Sequence, residues 1–571
     1  MSIFRNKWLT GLILALSVVL LGATPMARKW ASKWYEKHFI GAAGNGGLKL
    51  VGTDCFAEQP VASPAIKKQL DDALGGTEPD APGQGIIAKG YVARVDASGG
   101  VLGPGTSVVA ADRIGFAVTA RQAADIQPEI ANSAGRVVAT LPSAHVAPHA
   151  TLTQRPWADG SGYPIAFTWQ VPTGLPSGIY YLVQQPAIFF IVREPKPAQS
   201  PVVVLVPTNT INAYTKTLGR SLYARPCETP MVSFLRPQSS GRAHALSAFE
   251  RWAEEQNAFA TRPVYAADAD MDDPALLDGA KVLIVLWHSE YWTRAARLNF
   301  DAFVARGGNV IMAGGNDMWW QVRYSDDHTA LISYKTLAER PSSQGGDPVS
   351  DPLLRTVGWH SPDLDLSIVH SLGGSYDFGG LGQRGKNNGL FKSAYTVAEP
   401  DSPLLAGTGL KICDLIEMPM SGEYDGAPII GLDDIGRPVP DLKSIGAYRY
   451  ELLGYEWNKN EGYQIGTMHI MQRTPQSGYV LHMGALNCCI TQEFYKDTTQ
   501  GATNVQKIVS NAVKAFLTHA DPLANAPPPR PVAFPMTTPW NSPLPAVPAN
   551  ACAPSVGREP AGPTLAEGEG G

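Results

Sequence analysis

Residues 201–207 read PVVVLVP, a run of valine and leucine closed at both ends by proline. The run does not alternate with polar residues, so it suits a strand buried on both faces, as in a parallel sheet. Working outward, KVLIVLW (281–287) and NVIMAGG (309–315) repeat the pattern. Between the first two lies HALSAFERWAEEQNAF (244–259), with Leu246, Phe249, Trp252 and Ala253 at helical spacing. After the second, TRAARLNFDAFVARGG (293–308) reads as a helix ending at Gly307. GYVLHMGA (478–485) reads as a late strand, and the stretch 498–520 as a closing helix. Strands alternating with helices of this length predict right-handed crossovers and a doubly wound α/β domain over residues 198–520.

Upstream the pattern changes. IIAKGYVARVDA (86–97), VVAADRIGFAVTA (108–120), RVVATLP (136–142), PIAFTWQVP (164–172), IYYLVQQP (179–186) and AIFFIVREP (187–195) are short β-branched and aromatic runs bounded by Gly and Pro. They predict an antiparallel β-sandwich over 85–197. Residues 40–84 read as a linker with one short helix, SPAIKKQLDDAL, and the proline-rich segment 521–571 reads as a disordered tail. At the other end, WLTGLILALSVVLLGA (8–23) is an uncharged run behind Arg5 and Lys7, with Arg28, Lys29, Lys33 and Lys37 after it. No convincing cleavage site follows, so residues 1–39 are expected to hold an uncleaved signal-anchor that spans the membrane. The globular part is then expected to be periplasmic or otherwise extracytoplasmic.

The 571-residue chain is 44% hydrophobic and 17% charged with a formal net charge of −5, which describes a globular protein of several domains. It lacks the basic runs of a nucleic-acid binder. The six cysteines show no zinc spacing and leave the disulfide state open. No G-x-S-x-G elbow or phosphate-binding G-x-x-x-x-G-K-[ST] loop is present. GLGQRG (380–385) has the form of a dinucleotide loop but lacks a strong strand before it.

In an open parallel sheet, ligands bind beyond the carboxyl ends of the strands. Three such ends are polar and aromatic: TNTINAYTKTLGRSLY (208–223) with Tyr214, WHSEYW (287–292) with His288 and Glu290, and GGNDMWWQV (314–322) with Asn316. Each alone has an ordinary explanation, Glu290 as a first-turn helix carboxylate and His288 as a satisfied core histidine among them. The paired glycines 314 and 315 would let the backbone approach a ligand.

YPIAFTWQVPTGLPSGIYYLV (163–183), VPTNTINAYTKTLGRSLY (206–223), VSFLRP (232–237), WHSEYW, GGNVIMAGGNDMWWQV (307–322) and LLGYEWN (452–458) stand in the order seen in N,N-dimethylformamidase large subunits. Over roughly residues 85–520 the chain resembles that family, whose α/β region has a glutamine-amidotransferase-like sheet. The resemblance implies an iron-dependent amide hydrolase with a mononuclear, ferric Fe bound by two tyrosines and a glutamate. Those ligands fall on Tyr180, Tyr214 and Glu290. Polar helpers fall on His288, Asn316 and Glu456, with Glu456 as general base. The family's lysine has Lys335 as its nearest candidate, outside any matching motif. The implied partners are a small amide substrate, the membrane through the N-terminal segment, and a homo-oligomer or small subunit. The family's known enzymes are soluble, so the apolar N-terminus and the proline-rich tail depart from it. The alternative expectation is a non-catalytic, membrane-anchored envelope protein using the same cleft for binding or structure.

Overall fold

Which face of each strand its side chains cover decides how the layers stack. The computed structural model describes residues 85–195, 200–223, 228–238, 241–255, 257–335, 346–381, 393–418, 423–458, 464–486, 488–489, 503–536 and 552. The expected anchor, the linker with its short helix, residues 382–385 of the glycine-rich loop and most of the tail lie outside these. Among the described residues no helix is long and apolar enough to cross a membrane.

The first layer pair is a β-sandwich. One sheet runs in the order Val101–Pro104, Ile87–Val95, Arg113–Ala120, Ile165–Gln170. The other runs Ser107–Val108, Gln185–Val192, Gly178–Leu182, Glu129–Asn132, Val137–Thr140. All its pairings are antiparallel except that of Ser107–Val108 with Gln185–Val192. Phe116, Trp169, Tyr180 and Phe190 fill the space between the sheets. The next residues along the second sheet, Ile179, Phe189 and Ile191, face the opposite way into the α/β core. Strands Gly178–Leu182 and Gln185–Val192 are therefore buried on both faces, while Val137–Thr140 at the sheet's edge stays largely exposed.

The α/β domain is built on a nine-stranded sheet. Its first five strands, in the order Val264–Ala267, Val202–Val206, Val282–Leu286, Asn309–Ala313 and Tyr479–His482, are parallel. Four antiparallel strands extend it: Gln464–Gln472, Arg449–Asn458, Ser393–Val397 and Leu415–Met418. Val202, Val204, Val282 and Ile284 pack with helices Gly241–Glu255 and Asn504–Thr518. Val203, Leu205, Leu283 and Val285 pack with helix Arg294–Ala305 on the other face. The uninterrupted apolar runs follow from this two-sided burial, and helices on both faces make the fold mixed α/β. Leu246, Phe249, Trp252 and Ala253 are all buried, so the helical spacing marked the packed face. The strand Val264–Ala267 escaped the sequence reading because its four residues carry no longer apolar run. Its crossover to Val282–Leu286 is made by two 3-10 turns, Asp268–Asp272 and Pro274–Leu277.

The chain passes from Val202–Val206 to its neighbour on one side, Val264–Ala267, and next to its neighbour on the other, Val282–Leu286. The winding thus reverses between Val202–Val206 and Val282–Leu286, which opens a crevice at their carboxyl ends. Beyond the sheet, Cys413 and Cys552 form a disulfide, and Cys488 and Cys489 are buried free thiols. Part of the expected tail is ordered. Arg530 donates to Glu399 Oε1 at 2.7 Å, and Phe534–Pro535 pairs with Ile429–Leu432.

The sandwich is fastened to helix Gly241–Glu255 by Glu250, whose Oε2 accepts the Ile179 amide at 3.0 Å. Burial raises this carboxyl to about 8. The unfolded chain ionises it from about 4.5, so the stability gained by keeping it protonated is full below that value and lost as pH rises through about 8. Melting temperature should therefore fall between about pH 5 and about pH 8 more steeply in the wild type than in Glu250→Gln. Equal slopes in scanning calorimetry would show that Glu250 is not the group responsible.

Candidate functional site

Residues marked at two of the strand ends, Tyr214, His288 and Glu290, meet at the crevice. Helix Thr208–Tyr214 follows the strand Val202–Val206 and ends in Tyr214. Its far end is held by Arg236, fully buried, which donates to the carbonyls of Asn212 (2.8 Å), Arg220 (3.0 Å) and Ser233 (3.1 Å). After Val282–Leu286 the chain turns sharply at Trp287, whose φ is +56°. The next three residues, His288 to Glu290, line the crevice before the short strand Tyr291–Thr293. Helix Arg294–Ala305 begins only after that strand, with the Thr293 hydroxyl accepting the Ala296 amide. Glu290 is therefore outside the helix and does not serve as a first-turn carboxylate.

The Tyr214 hydroxyl donates to Glu290 Oε2 at 2.8 Å and lies 3.2 Å from His288 Nε2. His288 Nε2 is also 3.2 Å from Glu290 Oε2. The other imidazole nitrogen, Nδ1, is 3.0 Å from the Gly315 carbonyl. A carbonyl only accepts, so Nδ1 carries a proton and Nε2 faces the tyrosine and glutamate. Burial alone would lower the imidazole, but the Glu290 charge and hydrogen bond raise it to about 9. Glu290 is pulled the other way. Burial raises it, and His288, Lys335 and Tyr214 together outweigh that and hold it below the usual carboxylate range. Burial and the Glu290 charge push the Tyr214 phenol well above 10.

Asn316 completes one side. It sits at φ +52°, and its Nδ2 donates to Glu423 Oε2 at 2.9 Å. Glu423 Oε2 is 3.8 Å from His288 Nε2, and the side chain is 22% exposed. Burial raises its carboxyl, and the nearby Glu290 charge adds to the shift. Lys335 lies on the other side. Its ammonium stands 5.0 Å from the Tyr223 and Tyr291 ring centres and 5.4 Å from that of Trp320. Tyr223 packs on Tyr214 at 4.8 Å and is half exposed, which places it at the mouth.

Two expected residues lie elsewhere. Tyr180 faces the sandwich core, stacks on Phe190, and donates its hydroxyl to the Pro176 carbonyl at 2.8 Å. Strand alternation turned it inward, so it does not join Tyr214 and Glu290. Glu456 is buried on the central sheet beside Tyr424, and burial raises it to about 8. Tyr424 stands between Glu423 and Asp425 and faces away from them along the extended strand, so Glu456 is on the far side from His288. The glycine pair also plays a different part from the one expected. A Cβ on Gly314 would strike the Trp287 carbonyl, and one on Gly315 would meet the Leu486 amide at 2.7 Å. The glycines thus allow two protein backbones to meet rather than a ligand to approach.

The sequence reading missed Glu423 and Tyr223 and left Lys335 outside its motifs. Glu423 lies in SGEYDG, a glycine-flanked stretch with no apolar run to mark it as part of the sheet. Tyr223 closes the quoted stretch TNTINAYTKTLGRSLY, and only the folded chain brings its ring onto Tyr214.

The backbone contact at Gly314 makes a specific demand. Gly314→Ala should lower unfolding free energy by about 1–3 kcal/mol in urea titration, because the backbone at Trp287 must shift. Gly174→Ala, whose Cβ would meet nothing within 4 Å, should stay within about 0.5 kcal/mol of the wild type. Equal effects would show that the Gly314 approach is not a constraint.

Comparison with known proteins agrees with the resemblance read from the motifs. The sequence profile described as N,N-dimethylformamidase beta subunit-like, C-terminal, matches residues 109–495, more than half of the chain. No curated protein matches the sequence. Among solved structures, the chain has a likeness to a beta-galactosidase from Bacillus circulans sp. alkalophilus at 12% identity and a TM-score of 0.27. That alignment covers 57% of this chain and 32% of the other, so the chain spans about a third of that protein's length. The profile match takes in the sandwich from residue 109 onward and the segments that carry Tyr214, His288, Glu290, Asn316 and Glu423, and by it the chain belongs to the N,N-dimethylformamidase beta subunit-like family.

Proposed function

We propose that this chain is a hydrolase of carbon–nitrogen bonds in small amides that uses a mononuclear ferric ion held at the crevice. The observation that carries the reading is the convergence of Tyr214 Oη, His288 Nε2 and Glu290 Oε2, each within 3.2 Å of the others. Phenolate and carboxylate oxygens are hard anionic donors and favour a ferric ion over zinc. The bond from His288 Nδ1 to the Gly315 carbonyl has the form by which ligating histidines are oriented. The residues present therefore fit the metal, with one change from the set implied by resemblance. Tyr180 is not among them, and the tyrosine packed on Tyr214, at 4.8 Å between ring centres, is Tyr223.

A bound ferric ion would polarise an amide carbonyl and lower the pKa of a water. This chain's own residues do the rest. Glu423 is the partly exposed carboxylate beside His288, and it accepts the water proton and returns it to the leaving amine. Asn316 fixes which Glu423 oxygen faces the crevice. Lys335 helps hold Glu290 anionic, and its aromatic surround keeps that charge partly shielded from water. Glu456 has no direct part in this arrangement.

The same proposal places the globular part outside the cytoplasm. It combines residues 8–23 as a membrane anchor with the Cys413–Cys552 disulfide, a bond that persists in oxidising compartments. It also includes the family's glutamine-amidotransferase-like sheet, and a second copy or a small subunit as partner.

Plasma mass spectrometry and an optical spectrum of the purified full-length chain test the metal. About one iron per chain with a visible tyrosinate band is expected. Tyr214→Phe should remove the band, and Glu290→Gln should lose the iron. Tyr180→Phe should keep both and cost only about 1 kcal/mol of stability for its lost hydrogen bond. Iron lost in Tyr180→Phe but kept in Tyr214→Phe would reverse the assignment, and no iron in the wild type would end it. Once an amide substrate is found by screening, Glu423→Gln should lower kcat about 10²–10⁴-fold, with Glu456→Gln changing it far less.

A further inference from the structure

Behind the crevice lies a second cluster to which the proposed chemistry gives no role. His482 ends the strand Tyr479–His482 and is fully buried. Its Nε2 lies 3.0 Å from Asp425 Oδ2 and 3.5 Å from Asp317 Oδ2, and both acids are also buried. Asp425 Oδ2 further accepts the Asp317 amide at 3.2 Å, and Asp317 Oδ1 accepts the Ser289 amide at 3.0 Å. The Met318 amide donates back to the Ser289 carbonyl at 2.7 Å.

These bonds run between the segments that carry the outer site. Ser289 separates His288 from Glu290. Asp317 follows Asn316. Asp425 is two residues from Glu423 on the strand Glu423–Gly426, so both face the same way. The outer pair, Asn316 with Glu423, and the inner pair, Asp317 with Asp425, therefore join one loop to one strand at successive rungs. The strand pairs with the two-residue strand Gly380–Leu381 on one side, and on the other the Asp425 amide donates to the Gly484 carbonyl at 2.8 Å and the Leu486 amide to the Glu423 carbonyl at 3.0 Å, so the side-chain bonds of the cluster add to a short backbone ladder. Asn316 and Met318 also hold positive φ, so the loop between them is a conformation that its surroundings must enforce.

We propose that Asp317, His482 and Asp425 are positioning residues, a buried clamp that sets Asn316 and Glu423 in register with His288 and Glu290. The inference rests on the outer cluster being the functional site. The three side chains are also of metal-ligand type, with ligand atoms within 4.8 Å of one another. One feature favours hydrogen bonds over a cation: among the described residues His482 Nδ1 has no acceptor, unlike the oriented Nδ1 of His288. Asp425 Oδ1 and Asp317 Oδ2, which also lack a hydrogen-bond partner there, are the oxygens a cation would use.

Hydrogen exchange of the full-length chain, read by mass spectrometry, tests the clamp in His482→Gln and Asp425→Asn. Amides in 287–291, 314–318 and 423–426 should exchange about tenfold faster or more, as expected for losing a charged, buried hydrogen bond. The sandwich strand Arg113–Ala120 should keep its wild-type rate. Asp317→Asn keeps an acceptor for Ser289, so 287–291 should stay protected while 423–426 loosens. This variant also serves if His482→Gln does not fold. Unchanged rates in all three segments, or a uniform rise that includes Arg113–Ala120, would overturn the clamp. Metal content of the same samples separates the two ideas. A second metal equivalent present in the wild type and in Glu290→Gln but absent in His482→Gln would overturn the clamp in favour of a cation site. A wild type without metal would defeat the proposed iron chemistry, and the exchange rates would still decide the clamp.

Discussion

The parallel pairing of Val202–Val206 with Val282–Leu286 is the constraint from which the rest of the site follows. Because the chain winds away from this pair in opposite directions, no crossover helix covers the gap between their carboxyl ends. The residue groups that leave those two ends, Tyr214 on its short helix and His288 with Glu290 on a turn, have no other place to go. Helix Thr208–Tyr214 is too short to be stable alone. It is held by buried packing and by Arg236, which gathers the carbonyls of Asn212, Thr217, Arg220 and Ser233.

Placing several ionisable groups in a crevice carries a desolvation cost that pairing must offset. His288 and Glu290 each ionise with the help of the other, and Tyr214 keeps its proton and donates it to the carboxylate. This is a set of groups whose protons a cation would displace, as metal binding to such ligands requires. Backbone geometry is under strain in the same place. Trp287, Asn316, Met318 and Lys335 all have positive φ without being glycine. Such residues persist only where packing and hydrogen bonds over-determine them, and here the bonds from Ser289, Asp317 and Asp425 supply that restraint.

The two layer systems meet through two strands buried on both faces, Gly178–Leu182 and Gln185–Val192. This explains the contrast between Tyr180 and Tyr181. One step along the strand moves a tyrosine from the sandwich core to the α/β core, where Tyr181 packs. A motif can identify the strand that carries a tyrosine without fixing which core receives it.

The sequence by itself determined the layer order and the strand ends that matter. Unbroken apolar runs at 202–206, 282–286 and 310–313 can form buried parallel strands because both faces are covered, and helical spacing named the covering residues. It also singled out Tyr214, His288, Glu290 and Asn316, since polar residues directly after such runs fall at the sheet's edge. Tertiary structure alone decided the rest. Glu423 reaches the crevice from a short strand more than a hundred residues after Asn316, and Lys335 arrives from a loop with no apolar pattern. Glu456 and Tyr180 were turned away by strand alternation within layers whose neighbours are distant in sequence. Local pattern is legible because periodicity reports burial. The partner of a side chain across a crevice is set by long-range pairing, which leaves no periodic mark.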